Sequence, residues 1–552
     1  MATDPSVHLA HKDEVELAKH EDEIVLARLG YKQVLYRTWG TVTAVALTIS
    51  AMSTLTSVSA SFYYGLAFGG PAVCIWGWIV VSAATLCVGL GMAELASAYP
   101  TSGGMYYWQF RLAGRKFGPW ACWVTGWLNL LGQIAAVSAV AALAAGLTAT
   151  MITMATGLNG GTPAKIGPKE NFGLFAGFLL LNALVNGAGL GFLTICTQAR
   201  GAAVGAFFNL AGVVLLCLIV PLAAVDRQPA SYVFTAFEPG YAESVGITNP
   251  FNVAILGLLL PAYSYTGVDG PVHMAEEVNG SETAPSIAIL YGISIMFVGG
   301  LSMVIALLFS MKSLDHVLDE NNESGGDPIP QILYDVFKDR FNNPAAGIAL
   351  QIIPILAVFF CLVATTTYVT RILFCYSRDG AVPLSGLWQR VDKRTRTPQA
   401  ALWCVSLLAL CLGLPMLGSE TAFNAILSLS TISLIVAYSA PIAIRITVGA
   451  KRFEPGPFSL GKWAYPIGVV AVTWAAAATV IFCLPTEMPV TVDNLNYASV
   501  ALVGTFLISN IWFFFPKYGA YKWFRGPART VDTEDSVMDI GDASMAGKGV
   551  VA

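Results

Sequence analysis

AYSYTGVDGPVHMAEE, residues Ala262–Glu277, decides how the rest of the chain is read. It follows an apolar run, Phe251–Pro261, that cannot cross a bilayer alone, because a span needs about 20 mostly apolar residues. To complete the crossing, a helix must continue through Tyr263-Ser264-Tyr265-Thr266-Gly267-Val268-Asp269-Gly270-Pro271. Gly267, Gly270 and Pro271 weaken a regular helix there, and Pro271 also removes a donor. A carboxylate at membrane depth costs about 2.5–3.5 kcal/mol or more, so Asp269 must face protein or water. The stretch reads as a discontinuous membrane helix at a binding site.

Composition agrees. Of 552 residues, 55% are apolar and only 12% charged, with a mean hydropathy of +0.64; an ordinary soluble domain is about 25% charged. The fold class expected is an all-α, multi-pass integral membrane protein with the lipid bilayer as partner. A net charge of −4 gives no hint of nucleic acid. The ten cysteines sit in or beside apolar runs without CxxC spacing, which suggests neither a disulfide framework nor a zinc site. The five histidines are scattered, three of them in the first 20 residues, which argues against a membrane enzyme. No ring of charge or repeated filter suggests a channel. Residues 1–35 are charged rather than signal-like, so the first membrane helix is expected to serve as the insertion signal.

Outward from the organising stretch, twelve hydrophobic spans can be counted: 39–66, 72–98, 118–152, 171–193, 202–225, 250–271, 285–311, 346–376, 399–417, 421–448, 464–484 and 495–516. With both tails inside, all but six of the 30 Lys and Arg residues fall on the cytoplasmic side. The six outside are Lys165, Lys169, Arg227, Lys312, Lys338 and Arg340. The N-terminal tail, 1–37, is read as solvated, with a surface helix over Asp13–Tyr36 as the alternative. The outer loop at 312–345 is acidic, with a short helix over Ile329–Phe341 and a sequon at Asn322-Glu323-Ser324. The tail 517–552 begins basic and is expected to end disordered.

The first span carries Ser50, Ser53, Thr54, Thr56, Ser57, Ser59 and Ser61. Hydroxyls offer substitute partners to freed backbone groups, and they also permit close packing through small residues. Paired with the sixth span, five spans later, unwinding is the preferred reading. That is the layout of transporters whose inverted repeats place broken helices face to face at mid-membrane. The divisions are a first repeat over 38–225, a second over 250–448, and two further spans over 464–516.

Specific blocks carry a resemblance. They are Gly69-Gly70-Pro71, Met92–Trp108 with its Pro-Thr-Ser-Gly-Gly-Met-Tyr-Tyr run, Gly126-Trp127-Leu128-Asn129, His273–Val278, and Ser377-Arg378-Asp379-Gly380-Ala381-Val382-Pro383. The chain resembles the amino acid–polyamine–organocation superfamily, and within it the amino acid/choline transporters, a group that includes GABA permeases. The resemblance implies twelve spans, a five-plus-five inverted repeat with helices 1 and 6 discontinuous, and uptake or exchange of amino acids and related amines. It places the first break on Thr54, Leu55, Thr56 and Ser57, whose backbone N–H groups would meet a substrate carboxylate, as a half-helix N-terminus can. The second break falls on Tyr263, Ser264, Tyr265, Thr266 and Gly267, whose carbonyls would receive the amine. Tyr263 or Tyr265 would cover the site.

Asp269 matches a common acidic position of the superfamily. Proton carrier, amine partner and cap for a broken helix end all remain open for it. No cofactor is implied beyond a coupling proton or sodium ion. Some proton-coupled relatives carry a Lys in the fifth span; the equivalent here is Asn209, so a built-in ammonium is in doubt. Thr366 and Thr367 could offer oxygen to sodium between the eighth and first spans, or simply pack. Gln133, Asn182 and Asn186 are read as bonds between helices, and Glu94, Glu276 and Glu277 as structural. The expected function is secondary transport of amino acids or amines such as GABA; choline or polyamine transport and a non-transporting sensor are the alternatives. The plasma membrane is the default location, with internal membranes as the alternative.

Overall fold

The computed structural model describes residues 20–158, 162–164, 166–187, 192–394, 397–418, 420–491 and 494–531, with backbone alone at 192–200 and 420–427. The start of the N-terminal tail, Lys165, Arg396 and the acidic end of the C-terminal tail lie outside these residues. The molecule is all-helical. Nine of the described helices are long and apolar enough to cross a membrane. Pro168–Gly187, the broken segment from Pro250 to His273, and Ala498–Phe514 complete the succession of twelve.

Both interruptions are present, but the first lies at Ser53, and Thr54–Ser57, where it was expected, form the first turn of the second half-helix. The first span consists of Thr41–Met52 and Thr54–Ala67, separated by Ser53 at φ 33°, ψ 99°. No glycine or proline lies at the break. Ser53 holds a conformation that costs about 1–3 kcal/mol unless its surroundings over-determine it, and here they do. Its hydroxyl accepts from Thr56 N at 3.3 Å and Thr56 Oγ1 at 2.7 Å. The Asn209 amide from the fifth span completes the brace. Its oxygen accepts from Leu55 N at 3.1 Å and Ser53 Oγ at 3.3 Å, while its nitrogen donates to Ile49 O at 3.3 Å. One side chain thus satisfies backbone on both sides of the gap, as hydrocarbon requires.

The sixth span runs as Pro250–Gly257 and Leu259–Ser264, then turns through Tyr265–Asp269 before a short helix, Gly270–His273. Gly267 has φ +91°, a region that side chains disfavour. A Cβ there would stand 3.6 Å from Ala51 O, which places the two breaks against each other. Backbone bonds stitch the inner ends of these spans: Trp39 N donates to Glu277 O at 3.1 Å, and Asn279 N to Trp39 O at 2.8 Å.

The solvated-tail reading of residues 20–37 is corrected. A helix covers 20–28, and Leu26, Tyr31, Leu35 and Trp39 are buried beneath the transmembrane bundle. These apolar residues are spaced irregularly, so no single period revealed the buried face. In the outer loop the short helix spans Pro328–Phe341. The amide nitrogen of the Asn322 sequon donates to His316 O at 3.0 Å and Val317 O at 3.2 Å, tying down the atom a glycan would use.

Candidate functional site

A cavity of about 700 Å³ opens where the two breaks meet. Thr56, Ser57, Tyr263, Thr266 and Gly267 line it, with Thr365 and Tyr368 from the eighth span and Ser428, Ser430 and Thr431 from the tenth. The third span supplies a smooth wall of Ala136, Ala139, Val140, Leu143 and Gly146. No Asp, Glu, Lys, Arg or His lines the cavity among the described residues. Its polar surface is backbone, hydroxyl and the Asn171 amide.

The cavity extends to Gly167, Pro168 and Asn171 and to Met416–Gly418, which the charge bias assigns to the outside. The inner side is shut. Glu276 accepts from both terminal nitrogens of Arg378 at 2.9 and 3.1 Å. Glu277 accepts from Arg371 Nε at 2.7 Å and Nη2 at 3.3 Å. Tyr31 donates to Asp379 at 3.0 Å, and Arg37 lies 3.8 Å from Asp22. The geometry is that of an outward-facing state.

Several expected site residues stand elsewhere. Thr54 faces the seventh span, 3.5 Å from where a Cβ on Gly299 would lie. Leu55 packs over Gly212 of the fifth span, and its N–H is already held by Asn209. Ser57 N donates to Ser53 O at 2.9 Å, so in this state the N–H groups of Leu55, Thr56 and Ser57 all have protein acceptors. Ser264 is buried and donates back to Leu260 O at 2.9 Å. Tyr265 turns away to bond Ser82 and pack on Trp78 of the second span. Of the two tyrosines, Tyr263 is the one at the cavity, stacked on Tyr64 with ring centroids 5.9 Å apart and its hydroxyl 3.2 Å from Ser428 Oγ.

The coupling candidates also sort themselves. Thr366 accepts from Asn182 at 2.9 Å, and Thr367 donates to Asn186 at 2.8 Å. Their hydroxyls join the eighth span to the fourth instead of facing the first, so the oxygen set sketched for sodium is not assembled. Asn209 is spent on the brace. Asp269 is wholly buried beyond the cavity wall, and its side chain makes no capping bond to the short helix it precedes. Its carboxylate accepts from Gln133 Nε2 at 2.7 Å and Tyr438 Oη at 2.7 Å, and lies 3.1 Å from His273 Nε2. The reading of His273 as one scattered histidine missed this contact; its place four residues after Asp269 was the available signal. In the Thr365-Thr366-Thr367 run of the eighth span it is Thr365 that lines the cavity, while the tenth-span hydroxyls were missed because short runs of Ser and Thr mark nothing in sequence.

The amino acid permease family model matches residues 40–508. An amino-acid permease of Arabidopsis thaliana is 37% identical over 512 residues, covering 92% of this chain and 96% of that protein. This chain belongs to the amino acid permease family. It is therefore a multi-pass membrane transporter of amino acids or related amines rather than an enzyme. Two relatives from Saccharomyces cerevisiae are each 29% identical. One is named a GABA-specific permease, with 94% of this chain and 88% of that protein covered; the other is named a choline transporter, with 85% and 78% covered. In the permease, the broken helices and the cavity between them lie inside the matched region.

Proposed function

We propose that the permease carries net-neutral zwitterions, small amino acids and GABA-like amines, by alternating access through the cavity between its breaks. The observation that carries this reading is that no Asp, Glu, Lys, Arg or His lines the cavity wall among the described residues. A net charge enclosed there would meet no oppositely charged side chain and would bear a desolvation cost. A zwitterion brings its own balance and can be met by backbone dipoles alone. The carboxylate would lie at the start of Thr54–Ala67, beside Thr56 and Ser57, and the amine at the carbonyls before Gly267. The small third-span residues set room for the side chain, and Tyr263 with Tyr64 forms the outer lid. The two halves on either side of the breaks, 38–225 and 250–448, would act as the inverted repeats that rock about the site. The plasma membrane remains the default location.

Competition in liposomes with purified protein tests this. Alanine, GABA and similar zwitterions should inhibit uptake of the best labelled substrate. Lysine, glutamate, polyamines and choline should be weak. Preference for a net cation would overturn the proposal and favour the choline or polyamine reading.

A further inference from the structure

Resting on the transport reading above, we infer that Asp269 and His273 hold one exchangeable proton between them, as a single unit placed between cavity and inner gate. Both side chains are fully buried. His273 Nδ1 lies 3.0 Å from Ser102 O. A carbonyl oxygen only accepts, so Nδ1 carries a hydrogen. Nε2 then faces the carboxyl oxygen of Asp269 at 3.1 Å. That contact is a hydrogen bond only with one further proton present, as carboxylic acid with imidazole or as carboxylate with imidazolium. With no such proton, a nitrogen lone pair would oppose a carboxylate. The proton belongs to the pair, whichever atom bears it.

The surroundings leave the pair no other ionic partner. The third span presents Gln133 and the tenth Tyr438, both neutral donors to Asp269. The eighth span lays the Tyr368 ring parallel to His273, 6.3 Å between centroids. The inner half of the first span, Thr41–Met52, has no ionisable side chain, and the seventh has only the exposed Tyr291. Beyond the pair on its own segment, Glu276 and Glu277 are taken by Arg378 and Arg371. Asp269 therefore depends on His273 for its charge balance.

Position gives the pair a task. Gly267 and Tyr368 line the cavity, with Asp269 two residues beyond Gly267. On the inner side, Ser102 N donates to Glu276 Oε1 at 3.2 Å, and Ser102 Oγ accepts from Glu276 N at 3.3 Å. The chain Asp269–His273–Ser102–Glu276–Arg378 thus joins the proton to the gate. Loaded from outside, the pair holds Ser102 and keeps the inner side shut. When substrate drives the inner side open, the Ser102 loop withdraws, His273 meets water, and one proton leaves to the cytoplasm with the substrate.

Two transport modes in liposomes separate this from a structural role. Exchange of labelled for unlabelled substrate at equal pH reads binding and rocking; accumulation driven by an inward proton gradient reads coupling. Wild type should do both and should acidify the lumen in step with uptake. His273→Gln should keep exchange and lose both gradient-driven accumulation and substrate-linked acidification. Tyr438→Phe keeps the pair but removes a donor to the charged carboxylate. The pH profile of gradient-driven uptake should then move relative to wild type. Undiminished acidification in His273→Gln, or an unmoved profile in Tyr438→Phe, overturns the inference. Exchange that ignores pH in wild type overturns it while leaving the transport reading intact; absence of exchange for any zwitterion removes that reading instead.

Discussion

The outer and inner halves of the bundle are closed by different chemistry. Outside, the cavity is bounded by hydroxyls, alanines and stacked tyrosines, contacts that part without stranding a charge. Inside, two forked Arg–Glu pairs, Tyr31 on Asp379 and a packed N-terminal segment make the seal. Opening outward costs little beyond solvating neutral groups. Opening inward must separate or rehydrate buried ions, a step that needs a driving force such as bound substrate or a gradient. The difference fits the outward-facing geometry of the structure.

The sharpest way to break this comparison is to remove an inner cation. Arg371→Ala strands Glu277 in a buried site and should lower stability by about 3–5 kcal/mol. In molecules that stay folded, the inner side should open. Cys375, wholly buried near the gate, should become alkylated from the cytoplasmic face, read by mass spectrometry of its peptide. A Cys375 still protected in folded variant protein would show that these ion pairs do not hold the gate.

Next in size is the brace. Asn209→Leu leaves Leu55 N–H without an acceptor, while Ile49 C=O keeps Ser53 N–H, so the loss should be about 1–3 kcal/mol for one orphaned group. Thermal unfolding in detergent should register it, with transport falling in parallel. Wild-type stability would mean the first break mends itself.

The inner seal should also carry a pH signature. Burial raises the Asp379 carboxyl to about 6 from 3.8, against the opposing pull of Arg378. An acid with a raised folded-state value favours the folded state most at low pH, and this contribution declines as pH climbs towards 6. Between pH 5 and 7, Asp379→Asn should flatten the stability curve by about 1 kcal/mol. Identical slopes in thermal melts of variant and wild type would remove Asp379 from the seal's pH response.

The smallest effect belongs to the outer lid. Tyr263→Phe keeps the ring over the cavity and loses the 3.2 Å contact with Ser428. Substrate affinity should weaken by about 0.5–1.5 kcal/mol, the net worth of one hydrogen bond. A loss near that of Arg371→Ala would mean the outer gate is as polar as the inner.

Legibility differed between the breaks for a physical reason. Gly267, Asp269, Gly270 and Pro271 lie together in an otherwise apolar run, so local chemistry alone disfavours a continuous helix there. The first break has only hydroxyls, which suit a regular helix equally well, and its exact seat at Ser53 is set by Asn209 more than 150 residues away. The facing of Tyr263 and Tyr265 could not be read either, because the turn between them has no fixed period. The pairing of Asp269 with His273 was partly legible, being one helical turn apart.

By itself, the sequence determined the class of molecule, the twelve apolar segments and the existence of two weak points five spans apart. Those follow from hydrocarbon's intolerance of charge and of unpaired backbone, which acts on each segment separately. Tertiary structure alone decided which hydroxyls face the cavity, that Thr366 and Thr367 look away from it, and that the buried carboxylate leans on a histidine. Such choices depend on which neighbour each side chain meets, and the neighbours come from helices far apart along the chain.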